Sequence, residues 1–166
     1  PQLFVRMGVN SGPIVVGNMG SSQRMDYTIM GDAVNLAARL EGANKFYKTY
    51  TMISEFTYAQ AGEFLDARPT DIIRVVGRKE PVTVYEALAR KNQLSGDKAL
   101  VVESYLQGYE CYHNHDFAAA APFFEKALEI DDEDGPSAEY LKRCKAFKLQ
   151  PPEKDWDGVH TLTEKG

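Results

Sequence analysis

The chain has 166 residues, of which 43% are hydrophobic and 26% charged, a balance typical of a folded protein rather than a disordered one. Residues 1–92 carry 11 basic and 9 acidic side chains, a net charge of +2, whereas residues 93–166 carry 8 and 15, a net charge of −7. The acidic second half argues against nucleic-acid or anionic-membrane binding there, and no apolar run approaches the ~20 residues of a membrane span.

The first half alternates short strands with two helices. Strands are predicted from apolar alternation at residues 3–9, 14–16, 27–29, 50–53, 63–67, 71–76 and 82–87. A turn is predicted at residues 10–13, a loop or the end of a hairpin at 17–22, and a connection between strands at 78–81. Asp32 is the expected N-cap of a helix that Gly42 ends, and Ser54 the cap of a second helix through Ala61. This mixture predicts an α+β fold with an antiparallel-rich sheet covered on one side by helices.

The helix at 32–41 has two distinct faces. Asn35 and Arg39 are four residues apart and therefore share one face, while Leu36 and Leu40 lie on another that is suited to burial. An amide and a guanidinium held side by side suit an oxygen-rich ligand such as a phosphate. A solvated arginine beside a polar asparagine is the alternative interpretation, because exposed arginines are common.

The second half is predicted to be helical. A linker is predicted at 91–96, followed by helices at 97–113, 116–130 and 137–148, with Ser137 as the cap of the third. An extended tail is predicted at 151–166, and Trp156 is expected to pack it against the rest of the protein. The residues at tetratricopeptide-repeat offsets are Gly108, Ala120, Phe124 and Ala127. A single repeat cannot bury both faces, so we expect it to pack on the third helix, on the first half or on a further neighbour.

Cys111 and Cys144 have no histidine or cysteine nearby at the spacing of metal ligands, and we expect them to be reduced thiols in a cytoplasmic protein.

The segments 6–12, 16–20, 24–41 and 75–86 together resemble the catalytic domain of class III nucleotide cyclases. These enzymes convert a nucleoside triphosphate to its 3′,5′-cyclic monophosphate and pyrophosphate. The resemblance implies that residues 1–90 are the C-terminal part of a ferredoxin-like cyclase domain without its first strand and first helices, followed by a small all-α extension. We therefore expect that residues of the natural domain precede this chain.

The resemblance also implies roles for individual residues. Asn35 would orient the ribose, Arg39 would stabilise the transition state, and Thr28 would contact the purine edge. Threonine at that position is compatible with adenine and does not exclude guanine. In relatives a lysine near the last hairpin binds the triphosphate, but the matching position in this chain is Val76. Arg78 or Lys79 could bind the triphosphate instead, or both could lie at a solvated hairpin tip.

The remaining implications concern metals, partners and location. Class III cyclases use Mg²⁺ or Mn²⁺ held by two aspartates that we expect upstream, so no metal ligand is assigned in this chain. Their active site forms between two catalytic domains, which implies a homodimer that binds ATP and a fragment that is inactive alone. The predicted function is an adenylate cyclase, with a guanylate cyclase or an inactive regulatory or dimerisation domain as alternatives. The helical tail could bind a protein partner, and the parent protein could be membrane-attached.

Overall fold

The computed structural model describes residues 3–21, 23–74, 80–153 and 155–161. Its strands are β1 (Met7–Val9), β2 (Val15–Ser21), β3 (Arg24–Met30), β4 (Thr51–Ser54), β5 (Leu65–Arg74), β6 (Val82–Arg90) and β7 (His160–Thr161). Its helices are α1 (Asp32–Tyr47), α2 (Glu55–Ala61), α3 (Gly96–His113), α4 (Phe117–Ile130) and α5 (Gly135–Leu149). In these described ranges no helix combines the length and apolar character that crossing a bilayer requires.

Five of the strands form one mixed sheet in the order β1-β4-β6-β5-β7. The central pairs β4–β6 and β5–β6 are antiparallel, while the outer strands β1 and β7 join in parallel. Strands β2 and β3 form a separate antiparallel hairpin that leads directly into α1. The predicted α+β fold with antiparallel-rich sheets and a helical extension is therefore confirmed.

One helix supplies much of the core of the first half. Leu36, Leu40, Ala43 and Tyr47 recur at helical spacing along α1 and are buried. They pack against sheet residues, which are Met52, Ile73, Val82 and Val84. This contact fixes α1 across one face of the sheet.

Both predicted ends of α1 are wrong. The N-cap is Gly31, whose φ of 141° suits glycine, and Asp32 is instead the first helical residue, where its charge still favours the helix N-terminus. The helix also continues past Gly42 to Tyr47 and ends at Lys48 in a left-handed conformation. Burial of Ala43, Asn44 and Tyr47 outweighs the modest helix penalty of a single glycine.

Several strand boundaries also differ from the prediction. Of the segment 17–22, predicted as a loop or hairpin end, residues 17–21 belong to a hairpin, because β2 pairs with β3 without interruption from Val15 to Ser21. Residue 22 lies outside the described residues. Where two strands were predicted at 63–67 and 71–76, Leu65–Arg74 forms one strand, β5, whose register shifts beside Pro69. Residues 75 and 76 lie outside the described residues. Only Met7–Val9 of the predicted strand at 3–9 joins the sheet, and β6 extends beyond Ala87 to Arg90.

The three predicted helices of the second half are present and pack around an aromatic cluster. The buried members of this cluster are Tyr105, Tyr112, Phe124 and Tyr140. Trp156 packs against its edge, with its ring 5.1 Å from that of Phe147, as the sequence predicted. The cap of α5 is Asp134 rather than Ser137, since the Asp134 carboxylate accepts the amide hydrogen of Ser137. Whether this unit is a tetratricopeptide-like repeat stays a prediction.

The helical segment is joined to the sheet by buried charges. Arg68 on β5 is fully buried and donates to Glu86 on β6 at 2.8 Å and to both oxygens of Asp134 at 3.0 and 2.6 Å. Burial favours the neutral form of Asp134, but the hydrogen bonds from Arg68 outweigh this effect and lower its pKa. The segment predicted as a linker is also held, because the amides of Gln93 and Leu94 donate to Asp66 at 2.9 Å.

Candidate functional site

Asn35 and Arg39 lie one turn apart on α1, where the sequence placed them. Asn35 is exposed and Arg39 is half-buried, whereas Leu36 and Leu40 between and beyond them are buried. Neither side chain has a hydrogen bond or ion pair with any other residue that the structure describes. Their polar groups are therefore available to a ligand.

The start of α1 is fixed by backbone and side-chain contacts. The carbonyl of Gly31 accepts hydrogen bonds from the amides of Val34 and Asn35 at 3.1 and 3.2 Å. Asn10 donates from its side chain to the carbonyl of Ala33 at 3.0 Å, which ties the loop after β1 to the first turn. Because the backbone of Asn35 is held in this turn, its side-chain amide projects from a defined position.

Strand β1 approaches α1 so closely that no side chain fits between them. A Cβ atom built on Gly8 would overlap the backbone of α1 at Ala37 and Glu41, on either side of Arg39. The buried side chain of Asn44 donates to the carbonyl of Met7 at 2.9 Å, also between the two elements. This contact is one of the restraints on the position of Arg39 relative to the sheet.

Thr28 is exposed on β3, the strand that leads into α1. It pairs in register with Gly17 of β2, and a Cβ atom built on Gly17 would meet no atom within 4 Å. The hairpin thus presents the Thr28 hydroxyl next to open space. Arg78 and Lys79, and Val76 with them, lie outside the residues that the structure describes, so their predicted role in holding the triphosphate stays a prediction.

Possible metal ligands do not cluster in threes in the part of the chain that the structure describes. Within residues 3–21, 23–74, 80–153 and 155–161 there is no group of three or more His, Cys, Asp or Glu side chains that could hold a metal ion. Asp26 is exposed beside Arg24 at 3.6 Å, and Asp71 is buried as the partner of Tyr47 and Arg143. Asp26 and Asp71 therefore do not form a shared site beside Asn35 and Arg39.

A second set of residues, missed by sequence reasoning, holds the far end of α1. The buried hydroxyl of Tyr47 donates to Asp71 of β5, and the guanidinium of Arg143 on α5 lies 2.7 Å from the same carboxylate. Burial, followed by the charge of Asp71, raises the pKa of Tyr47, so the hydroxyl stays protonated and donates. No local sequence pattern links these residues, because Asp71 and Arg143 lie 24 and 96 positions after Tyr47 in the chain.

A cavity of about 610 Å³ opens between the end of α1, the sheet and the loop before α5. Its charged lining includes Arg6, Lys48, Lys98 and Asp134, and Lys98 is already paired with Asp134 at 2.8 Å. It includes none of Thr28, Asn35 and Arg39. The candidate site is therefore a separate surface formed by the hairpin and the polar face of α1.

Residues 1–86 match the sequence profile of the adenylate and guanylate cyclase catalytic domain family, so the chain belongs to that family. The terminal-differentiation specific adenylate cyclase of Dictyostelium discoideum is 32% identical over 152 residues, which cover 87% of this chain and 7% of that protein. Adenylate cyclase 1 of Rhizobium meliloti is 39% identical over 88 residues, 53% of this chain and 13% of that protein. The chain thus spans a small part of the length of the curated relatives it matches.

A solved structure is also similar. The crystal structure of the adenylyl cyclase CyaB from P. aeruginosa shares 38% sequence identity, with 54% of this chain and 45% of that chain covered and a TM-score of 0.46. The Dictyostelium match extends well beyond residue 86, because it covers 87% of the chain, and therefore includes part of the helical segment.

Proposed function

We propose that this chain is part of an adenylate cyclase, which converts ATP to 3′,5′-cyclic AMP and pyrophosphate, and that it carries one half of the active site. The observation that carries the proposal is the polar face of α1, where Asn35 and Arg39 are held on a rigid helix with no partner among the described residues. Family membership supports the reaction class.

The proposed chemistry follows from the side chains. The ribose 3′-oxygen attacks the α-phosphorus and pyrophosphate leaves, so negative charge grows on the phosphate oxygens. Arg39 would stabilise that charge, an interaction whose removal typically lowers kcat by ~10²–10³-fold. Asn35 would hold the ribose in line, and the Thr28 hydroxyl would accept a hydrogen bond from the adenine amino group.

The other half of the site would come from a second cyclase domain. Divalent cations in this reaction neutralise the phosphates; because the described residues offer no cluster to hold them, the proposal places their ligands outside these residues. The β2–β3 hairpin exposes a run of apolar side chains, which suits a surface that a second copy covers: Val15, Val16, Met25, Tyr27, Ile29 and Met30. The 166-residue chain alone would then be inactive.

The proposal is tested by Arg39→Ala in the longer polypeptide that contains this chain. We expect kcat to fall ~100-fold or more with KM for ATP changed only a few-fold, because the guanidinium acts mainly in the transition state. The matched control is Lys45→Ala, an exposed cation on another face of the same helix, which should leave both constants unchanged. A loss confined to KM would contradict transition-state stabilisation.

The same assay decides between the alternatives. Turnover of GTP in preference to ATP would make the protein a guanylate cyclase. Turnover of neither nucleotide, with the protein folded and dimeric, would favour a regulatory domain. Cyclic AMP production by the 166-residue chain alone would contradict the half-site proposal.

A further inference from the structure

We propose that the helical segment positions the nucleotide-facing helix, with Tyr47, Asp71 and Arg143 acting as positioning residues for Arg39. This inference depends on the proposed function, since it gives the segment a role in that same site. It concerns a contact between α1, β5 and α5 that lies away from the polar face itself.

The three side chains form one buried network. Tyr47 is fully buried near the end of α1, and its hydroxyl donates to Oδ2 of Asp71. One terminal nitrogen of Arg143 lies 2.7 Å from the same oxygen and 3.5 Å from the Tyr47 hydroxyl. The second oxygen of Asp71 accepts from the Tyr140 hydroxyl at 3.3 Å, so two residues of α5 take part. A fully satisfied buried network of this kind fixes its members in one arrangement.

The start of α5 is pressed against the same end of α1. A Cβ atom on Gly135 would overlap the carbonyl of Tyr47, so only glycine permits this approach. Asp134, the cap of α5, is held in turn by Arg68 from β5 at 2.6 Å. The exposed pair Lys48–Glu133 at 3.5 Å links the same elements but, as a surface pair, contributes little.

The network can affect Arg39 because its member Tyr47 lies on the same helix as Arg39. Arg39 and Tyr47 are eight residues apart, which corresponds to about 12 Å along the helix axis. The first turn is held by Asn10, the middle by its contact with β1 and the last turn by Tyr47. Releasing the last turn removes one of these three restraints and lets α1 shift about the other two. A displacement of about 1 Å at a charge-stabilising group can reduce turnover ~100-fold.

Tyr47→Phe is the sharpest test, because it removes the hydroxyl, keeps the buried ring and leaves Asp71 paired with Arg143. In the 166-residue chain we expect hydrogen exchange of the amides at 43–48 to accelerate ~3- to 10-fold, the loss typical of one hydrogen bond. In the longer polypeptide we expect kcat to fall ~10-fold with KM within about two-fold. Here kcat is counted per site titrated with a 3′-deoxy ATP analogue, so that loss of folded protein does not mimic the effect.

A second variant and two controls keep the test decisive. Asp71→Asn combined with Arg143→Met removes both buried charges together and should show the same pattern as Tyr47→Phe. Lys142→Met changes an exposed cation next to Arg143, and Glu133→Gln breaks the surface pair; both should behave as wild type. Unchanged kcat per site in Tyr47→Phe and in the double variant, with an active wild type, would overturn the inference. A wild type that cyclises neither ATP nor GTP would instead refute the proposed function.

Discussion

His113 is a titratable side chain placed where a charge is unfavourable. It ends α3, half-buried, with its ring 4.2 Å from that of Tyr109 and with Gly158 of the tail against it. Its Nε2 is buried and has no hydrogen-bond partner among the described residues. Burial lowers the pKa of His113; the charge of Asp71 opposes this shift, and those of Arg143 and His115 add to it.

His113→Gln should therefore flatten the pH dependence of stability. Because the folded-state pKa lies below the unfolded value of about 6.5, the unfolded chain binds the extra proton, and stability falls as the pH drops below that value. We expect Tm to decrease from pH 7.5 to 5.5 by less in His113→Gln than in wild type. His160, whose pKa burial also lowers, should leave a residual slope. Equal slopes for His113→Gln and wild type would contradict the role given to His113.

Helix α1 is positioned by close packing more than by the helix propensity of its residues. Gly8 of β1 allows the strand to touch the helix backbone beside Arg39, and Asn44 bridges the two at 2.9 Å. The helix continues through Gly42 because its last turn buries Tyr47 and Asn44. The same contacts that stabilise the core thus set the place of the polar face.

Gly8→Ala should be destabilising because its methyl group would overlap the α1 backbone. We expect a loss of about 1–3 kcal/mol in the free energy of unfolding, the usual cost of overpacking, measured by urea denaturation. Gly17→Ala is the matched control, a strand glycine with open space around it, and should change stability by less than about 0.5 kcal/mol. Equal losses in both variants would mean that glycine content, not the contact with α1, is responsible.

The sequence predicted what local patterns encode and missed what packing decides. The shared face of Asn35 and Arg39 follows from helical spacing, and the strands and helices follow from periodicity. The end of α1 could not be predicted, because Gly42 favours a helix end unless the burial of Tyr47 is known. The Tyr47–Asp71–Arg143 network joins residues far apart in the chain, and no local pattern indicates it.

The β2–β3 hairpin exposes an apolar surface of the kind that a partner covers. Tyr27, Val15 and Met25 are 77%, 64% and 62% exposed, although each is a large apolar side chain. The hairpin contacts α1 but is paired with no other strand of the described sheet. A second copy that covered it would bury this surface and bring another polar face close to α1.

Ile29→Glu should therefore weaken self-association of the chain. A carboxylate placed in an apolar interface must be desolvated, so we expect the dimer dissociation constant to rise ~10-fold or more in sedimentation experiments. Phe64→Glu is the control, an exposed aromatic residue in the turn between α2 and β5, and should leave association unchanged. A chain that sediments as a monomer at high micromolar concentration would contradict the proposed homodimer.

The buried ion pair between Arg68 and Asp134 affects when the first half can complete its folding during translation. Asp134 lies 66 residues after Arg68, so during translation the strand leaves the ribosome well before the carboxylate that neutralises it. Until then Arg68 has only Glu86 as a counter-charge, and its burial remains costly. The interior around Arg68 is therefore completed only after α4 and the loop behind it have been synthesised, so the final packing of the first half depends on the C-terminal helices.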